Sequence, residues 1–514
     1  MKEKSIALGH QTEEDRLNHA ASNNEGFKVA KVNYSPEEKK LLRKINLTTA
    51  PFILIIIFLQ FLDKTALNFS AVLGLFDDTA ITESEFGWLG SIFFIGYLLF
   101  QIPCQYLLQQ LPISKFLGVF LVLWGTVTAC ESLARNFSQL LGLRFLQGFL
   151  EGAAHPCIQL LFSTIYRRNE QLTWFGALVA TNSFGFAIGG IIGFGFTNID
   201  DLYGLSGWKW CMIILGSATA TVGILTFLFL PDTPKSKWYR LKPEENDIVE
   251  ERLRDNKMVH DTWIKWDQIL EALGEFRFYC YFLICYLMNT LNGCITFFST
   301  LIIKSMGFSN GSSVLFNIPA GCSSVIITVI AIYFSHRFNE NGYVGAICCF
   351  VPFIGLLLLI LLPTGGVLLM GLCLTTAAPV YALALSMISN NVIGSTKKIF
   401  YNGAYFVAYC LGNFTGPLMM RSEEAPRYTS SLIGYMIAVI ISALLFLYLR
   451  WTYARDNRYR LRLKREERNL SPSSSRIIPA HQRPSISNQN NRGNQEAAVV
   501  DLTDRQNLNL LYRP

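Results

Sequence analysis

Four charged residues interrupt otherwise apolar stretches: Asp63 and Lys64 in FLDKTALN (61–68), and Arg144 and Glu151 in RFLQGFLEGAAHP (144–156). A charge inside hydrocarbon costs several kcal/mol, so such a residue reads as a functional group facing a partner or a water-filled cavity. Arg144 and Glu151 are seven residues apart, two helical turns or about 10 Å on one face. Two acids and two bases form a neutral set that holds together without solute. Protonation of one carboxylate then frees a cation to bind an anion, which is the physical basis of proton coupling. Asp63, Glu151, Lys64 and Arg144 are the groups available to such an exchange, and their spacing alone does not divide the roles among them. Asn68 lies one turn beyond Lys64 on the same face. His155, one turn beyond Glu151, has relay chemistry available, but a lone histidine before a proline is read here as packing. The competing reading of Arg144 and Glu151 is a structural ion pair, because Gly148 and Gly152 make the same face a close-packing surface.

Later in the chain the polar residues are uncharged. Asn289, Asn292 and Thr296 align at helical spacing, as do Asn402, Tyr409 and Asn413. Asn413 stands in GNFTGP, a sequence that lets a helix bend beside a cavity. Tyr97, Gln101 and Gln105 form a similar, weaker stripe. A charged half facing a neutral hydrogen-bonding half suits a solute with a carboxylate at one end and amide or hydroxyl groups at the other. Interhelical hydrogen bonding is the alternative for any one of these residues.

The elements that position these residues are membrane spans. The chain has 514 residues, 51% hydrophobic and 16% charged, with a mean hydropathy of +0.31. This composition argues against a soluble enzyme or a nucleic-acid binder and for an all-α polytopic membrane protein. The twelve cysteines have neither disulfide nor metal-site spacing and read as small apolar fillers. No cofactor or metal is expected.

Apolar stretches from about 49 to 451 divide into twelve spans, six on each side of a polar connector. The expected organisation is a disordered tail over 1–44, a six-helix bundle over 45–234 and a connector over 235–276 with an amphipathic helix near 243–256. A second bundle over 277–452 and a basic, then disordered, tail over 453–514 complete it. Basic residues collect in the loops on the connector side, which places both tails and the connector in the cytoplasm. The first apolar run follows a polar stretch of more than forty residues, so no cleaved signal is expected. Sequons at Asn136 and Asn310 lie in short outer loops.

The ordered set FLDKTALN, GWLGSIFFIGYLLFQIP (87–103), RFLQGFLEGAAHP, GWKW with FLPDTP, and YCLGNFTGP with EAPRYTS resembles the anion:cation symporter family of the major facilitator superfamily. Within it, the set is most similar to the fungal allantoate permease branch, over about residues 45–455. The resemblance implies a major facilitator fold and proton-coupled import of a small organic anion, such as allantoate, ureidosuccinate or a vitamin acid. It places substrate and proton on Asp63, Lys64, Arg144 and Glu151, and the asparagine of the family's eleventh span on Asn413. The chain departs from the family at Lys64, where many relatives carry Arg and its bidentate fork, so anchoring is assigned mainly to Arg144. The 2/3 loop, QQLPISK, lacks the superfamily's charged gate motif.

The expected protein is therefore a monomeric symporter of the plasma membrane, with a small organic anion and a proton as its partners. Asn289, Asn292 and Asn413 join Lys64, Asn68 and Arg144 in the expected substrate site. The alternatives are a carrier of a sulfur-containing anion, a facilitative carrier of a neutral solute, and a nutrient sensor that does not transport.

Overall fold

A computed structural model describes residues 35–166, 168–199, 203–233, 235–239, 241, 245–250, 265–338, 340–362, 366–376, 379–425, 427–474, 503–505 and 512. These residues are helical with turns and loops, and no strand occurs among them. In the first half, α1 is Pro36–Ser70, α2 Glu83–Leu108 and α3 Ile113–Glu131. α4 is in two pieces, Phe137–Glu151 and Ala154–Ile165, followed by α5 (Arg168–Thr197) and α6 (Gly207–Phe229). In the second half, α7 is Phe276–Ser305, α8 is Asn310–Leu315 with Asn317–Phe338, and α9 is Asn341–Leu361. α10 is Leu368–Thr375 with Val380–Asn391, α11 is Ser395–Leu418 and α12 is Thr429–Ser474.

Nine of these segments are long and apolar enough to cross a membrane among the described residues. The other three differ each in its own way: α4 is interrupted after Glu151, α5 has a described apolar stretch of only Phe184–Thr197, and α11 is rich in Asn and Tyr. Local chemistry sets the helix starts. Ser35 caps Glu38 N–H ahead of Pro36, and Thr82 and Glu85 form a reciprocal capping box at α2. α1 therefore begins thirteen residues before the expected Thr49, and residues 36–44 are helix where a disordered tail was expected.

The same pairings recur in both halves. α3 packs along α6 as α9 packs along α12, and α1 packs along α5 as α7 packs along α11. Glycines set the closest approaches. A Cβ on Gly148 would lie 2.0 Å from the Phe93 carbonyl oxygen, and one on Gly96 would lie 2.2 Å from that of Phe145, so α2 and α4 cross backbone to backbone. Gly412 and Gly416 play the same part between α11 and α7, where a Cβ would sit 2.4 and 2.1 Å from the carbonyl oxygens of Tyr286 and Thr290.

The halves meet through α2 with α11, α5 with α8, and α1 with α7. These contacts gather at the end remote from the connector. There Phe86 meets Phe298 edge-on at 5.4 Å, Trp88 meets Phe414 at 6.2 Å, and the Tyr428 hydroxyl donates to Glu83 at 3.0 Å. At the connector end of α2 and α11, Ile102, Tyr106 and Ile399 are exposed.

The connector is anchored to both halves. Tyr239 and Thr49 share a buried hydrogen bond of 2.6 Å, and Lys44 pairs with Glu245 at 3.4 Å. Residues 245–250 are helical, and the rest of the amphipathic helix expected over 243–256 lies outside the described residues. A second short helix, Trp266–Leu273, packs against the start of α11. α12 continues well past Arg450. The final residues depart from the disordered tail expected after 453: Thr503, Asp504 and Tyr512 are buried against the connector side of the second half.

Candidate functional site

Asp63 and Lys64 are neighbours on α1, so their side chains leave the helix about 100° apart. This angle divides the expected four-charge cluster into two networks. Asp63 turns into the first half, where its carboxylate accepts from the Trp124 indole N–H, from Thr128 at 3.0 Å and from the Gln147 amide at 2.7 Å. Arg144 donates to the Gln147 carbonyl oxygen at 2.6 Å, and its Nε stands 3.5 Å from Glu131. Arg144 is 1% exposed, and Asp63, Glu131, Gln147, Trp124 and Thr128 are equally enclosed. This network ties α1 to α3 and α4 inside the bundle, and Arg144 is not among the residues that line the cavity.

Lys64 turns the other way. Its ammonium is 2.8 Å from Glu151 and lies 5.7 and 5.5 Å from the ring centres of Phe93 and Tyr97. The Glu151 side chain is fully buried, whereas that of Lys64 keeps 15% exposure. Phe61, one turn earlier on the same face of α1, lines the cavity between the halves. An aromatic path connects the Lys64 pair to the far wall: Tyr97 meets Phe406 at 5.8 Å, Phe406 meets Tyr409 at 6.0 Å, and Tyr409 meets Tyr381 at 5.5 Å.

The cavity has a volume of about 180 Å³ and is lined by Phe61 and Asn182 from the first half and by Asn289, Asn292, Thr296 and Tyr381 from the second. The three asparagines form one relay across α7 and α11. The Asn292 amide donates to Asn413 at 2.9 Å, and the Asn413 amide donates to Asn289 at 3.1 Å. Asn413 is buried behind this wall, while Asn292 is exposed. Fixed by Asn413, the Asn292 amide presents its carbonyl oxygen and remaining N–H toward the opening, a donor and acceptor side by side.

Asn68 is not in the cavity lining. Its amide donates to Ser299 at 2.7 Å and its carbonyl oxygen accepts from the Thr300 backbone N–H at 3.0 Å, while Ser299 donates to Asn317 at 2.7 Å. These buried bonds latch α1 to α7 and α8 at the closed end. In the Tyr97 stripe, Gln101 donates to the Gly152 carbonyl oxygen at 3.0 Å, an oxygen without a helical donor because Pro156, four residues on, has no N–H. Asn402 is exposed.

Sequence reasoning passed over several of these groups. Glu131, the partner of Arg144, was visible as a carboxylate in the apolar run LWGTVTACES, beside the Asp63 donors Trp124 and Thr128. Asn182 was visible as an amide in a span otherwise noted only for glycines. The free cysteines are mostly buried, as packing residues are.

The chain matches the family model of the Major Facilitator Superfamily over residues 53–417. It is 30% identical to an uncharacterised transporter of Schizosaccharomyces pombe over 84% of this chain and 86% of that one. It is also 30% identical to the allantoate permease of Saccharomyces cerevisiae, covering 83% and 82% of the two chains. The thiamine pathway transporter of the same yeast is 28% identical over 82% and 81%. Among solved structures, the fold resembles a bacterial homologue of the human lysosomal transporter Spinster in its inward-facing, occupied conformation, with a TM-score of 0.63, 13% identity, and 82% and 99% of the two chains covered. It likewise resembles a D-xylose–proton symporter, with a TM-score of 0.61, 14% identity, and 79% and 97% covered. A twofold-repeated helical bundle, a polar cavity between its halves, the family model matched over residues 53–417 and these transporter relatives lead to one conclusion: the chain belongs to the Major Facilitator Superfamily, in the branch that includes the yeast allantoate permease, and is a multi-pass membrane transporter, not an enzyme.

Proposed function

We propose that the protein is a proton-coupled symporter of the plasma membrane that imports a small organic anion by alternating access, with its connector and both tails in the cytoplasm. The observation that carries this reading is the Lys64–Glu151 pair at 2.8 Å, whose lysine keeps 15% exposure and stands one turn along α1 from the cavity-lining Phe61. With Glu151 ionised, Lys64 is neutralised and has little affinity for an anion. A proton on Glu151 removes that competitor, and the ammonium, already partly exposed, turns to the solute's carboxylate. The Asn292 amide, steadied by Asn413 and Asn289, takes the solute's uncharged end. When the halves rock, solute and proton are released on the other side and the Lys64–Glu151 pair re-forms.

In this proposal the anchoring role expected of Arg144 passes to Lys64, because Arg144 is sealed behind Gln147 and Glu131. Arg144 becomes a positioning residue that holds Asp63, and through it α1, in register. Asn68 likewise moves from the substrate site to the latch at the closed end. The relatives support the substrate class: one is named for allantoate, an organic anion with amide-type groups at its far end.

The test is uptake of a panel of labelled organic anions, carboxylates and sulfonates alike, in cells expressing the chain, across external pH values and with a protonophore. Uptake that rises as external pH falls and collapses with the protonophore supports the proposal. Accumulation indifferent to both overturns it.

A further inference from the structure

We infer that the end of the chain is an intramolecular ligand for a site on the connector face of the second half, and that its docking restrains the connector during transport. The inference is independent of the substrate proposed above.

The site is built around Lys397, at the start of α11, whose side chain is fully buried. Its ammonium is 2.8 Å from Glu271 on the short connector helix, 2.7 Å from Glu275 ahead of α7 and 2.6 Å from Asp504 of the tail. Among the described residues these three carboxylates are the one grouping close enough to hold a metal ion, and the lysine already occupies its centre. The Tyr401 hydroxyl donates to Glu275 at 2.6 Å, Arg505 pairs with Glu275 at 3.1 Å, and Thr503 donates to Glu271 at 3.0 Å.

A second contact lies nearer the chain end. Tyr512 packs against Tyr453 of α12 with the rings tilted at 45° and 4.8 Å apart, and lies under the Arg460 and Arg277 guanidinium groups at 4.3 and 5.2 Å. Its backbone exchanges two hydrogen bonds of 2.8 Å with the Asn457 side chain, and its hydroxyl donates to Asp504 at 3.0 Å. Charge-assisted bonds, a tilted aromatic contact and paired backbone bonds together form a specific peptide-recognition surface, and Asp504 and Tyr512 are its keys.

The consequence for transport lies in what the tail touches. Thr503 and Asp504 bear on Glu271 and Lys397, whose ion pair, with the bond from the Lys397 backbone N–H to Gln268, clamps the connector helix Trp266–Leu273 to α11. The other end of the connector is bonded to α1 through Tyr239 and Glu245. A tether fixed to both halves limits their relative motion, and the docked tail is one of its fasteners.

The test uses the transporter ended after Asn494 and a fluorescent synthetic peptide covering residues 497–514. We expect the peptide to bind the shortened transporter and not the full chain, whose site is filled. The D504N and Y512A peptides should each bind at least tenfold more weakly. The shortened transporter should show faster amide exchange over Trp266–Leu273 and an uptake Vmax raised at least twofold with KM unchanged. A peptide that fails to bind the shortened transporter, or variant peptides that bind as well as the parent, would overturn the docking site. An unaltered or lowered Vmax would overturn the restraint.

Discussion

Replacing Glu151 with Gln keeps the shape of the Lys64 contact and removes its charge, so it tests the proposed coupling directly. Removing one partner of a buried ion pair typically costs about 3–5 kcal/mol. Lys64 retains 15% side-chain exposure and can rehydrate into the cavity, so the expected loss of stability is smaller, ~1–2 kcal/mol. The folded protein should survive. Function should change in kind, because Lys64 is then free at every pH: the anion binds without a proton and the two fluxes separate. With one proton per monovalent anion, a gradient of one pH unit drives roughly tenfold accumulation, about 1.4 kcal/mol. In vesicles with an imposed pH gradient, the wild type should approach that ratio, while Glu151→Gln should equilibrate the labelled anion to equal concentrations and still exchange it for unlabelled anion. Accumulation by Glu151→Gln with the wild-type pH dependence would refute the reasoning and move the proton to another group.

Arg144→Ala leaves Asp63 and Glu131 enclosed without their cation, a loss of about 3–5 kcal/mol. Its detergent-solubilised thermal midpoint should fall sharply, whereas a stable variant altered only in KM would return Arg144 to the substrate site. Gly148→Leu adds a side chain whose Cβ alone would meet the Phe93 carbonyl oxygen at 2.0 Å, while a Cβ at Gly142 meets nothing within 4 Å; size-exclusion profiles should show Gly148→Leu aggregated and Gly142→Ala intact. Lys64→Met and Asn68→Ala, one turn apart on α1, should be non-additive in uptake rate by at least ~0.5 kcal/mol, and strict additivity would sever the cavity from the latch. Burial alone would raise the Asp78 pKa, but bonds from Lys209, Ser206 and Trp208 outweigh it and hold the carboxyl below its usual range. Its contribution is thus present above the unfolded value of about 3.9 and is lost as pH falls through the folded one, so Asp78→Asn should lower the thermal midpoint at pH 6 and make little difference near pH 2.

Much of this fold could be read from hydropathy, because twenty-residue apolar runs and asymmetric basic loops report membrane spans whatever their packing. Breaks and extensions were harder to see. Beside the interruption after Glu151, Pro156 leaves a carbonyl that Gln101 satisfies from another helix, and no local pattern announces such a long-range partner. The site residues were legible as types: Asp63, Lys64, Arg144 and Glu151 are conspicuous because charges in hydrocarbon are costly. Their pairing was not legible, because partner choice depends on which neighbour each helix face meets. Arg144 and Glu151 share a helix, yet Arg144 reaches α3 and Glu151 reaches α1. The tail was misread for a related reason. Composition after 453 is that of a disordered segment, and the docking of Asp504 and Tyr512 rests on a handful of residues that composition averages away.

The separation of Asp63 from Lys64 has a mechanical meaning. A helix that must report the charge state of one side chain to a distant gate needs a fixed face and a working face, and adjacent residues about 100° apart supply both. Asp63 is held by three donors from α3 and α4, so α1 is pinned to its own half. Lys64 has one ionic partner, and that partner can be neutralised by a proton. Asn68, about 6 Å further along the same face, holds the second half at the closed end. In the proposed cycle, a shift of Lys64 toward solute would act on a helix that Asp63 pins within its bundle, so its effect would fall on the contacts between the halves. Were Asp63 free to follow Lys64, α1 would absorb the change within the first half and leave the latch untouched.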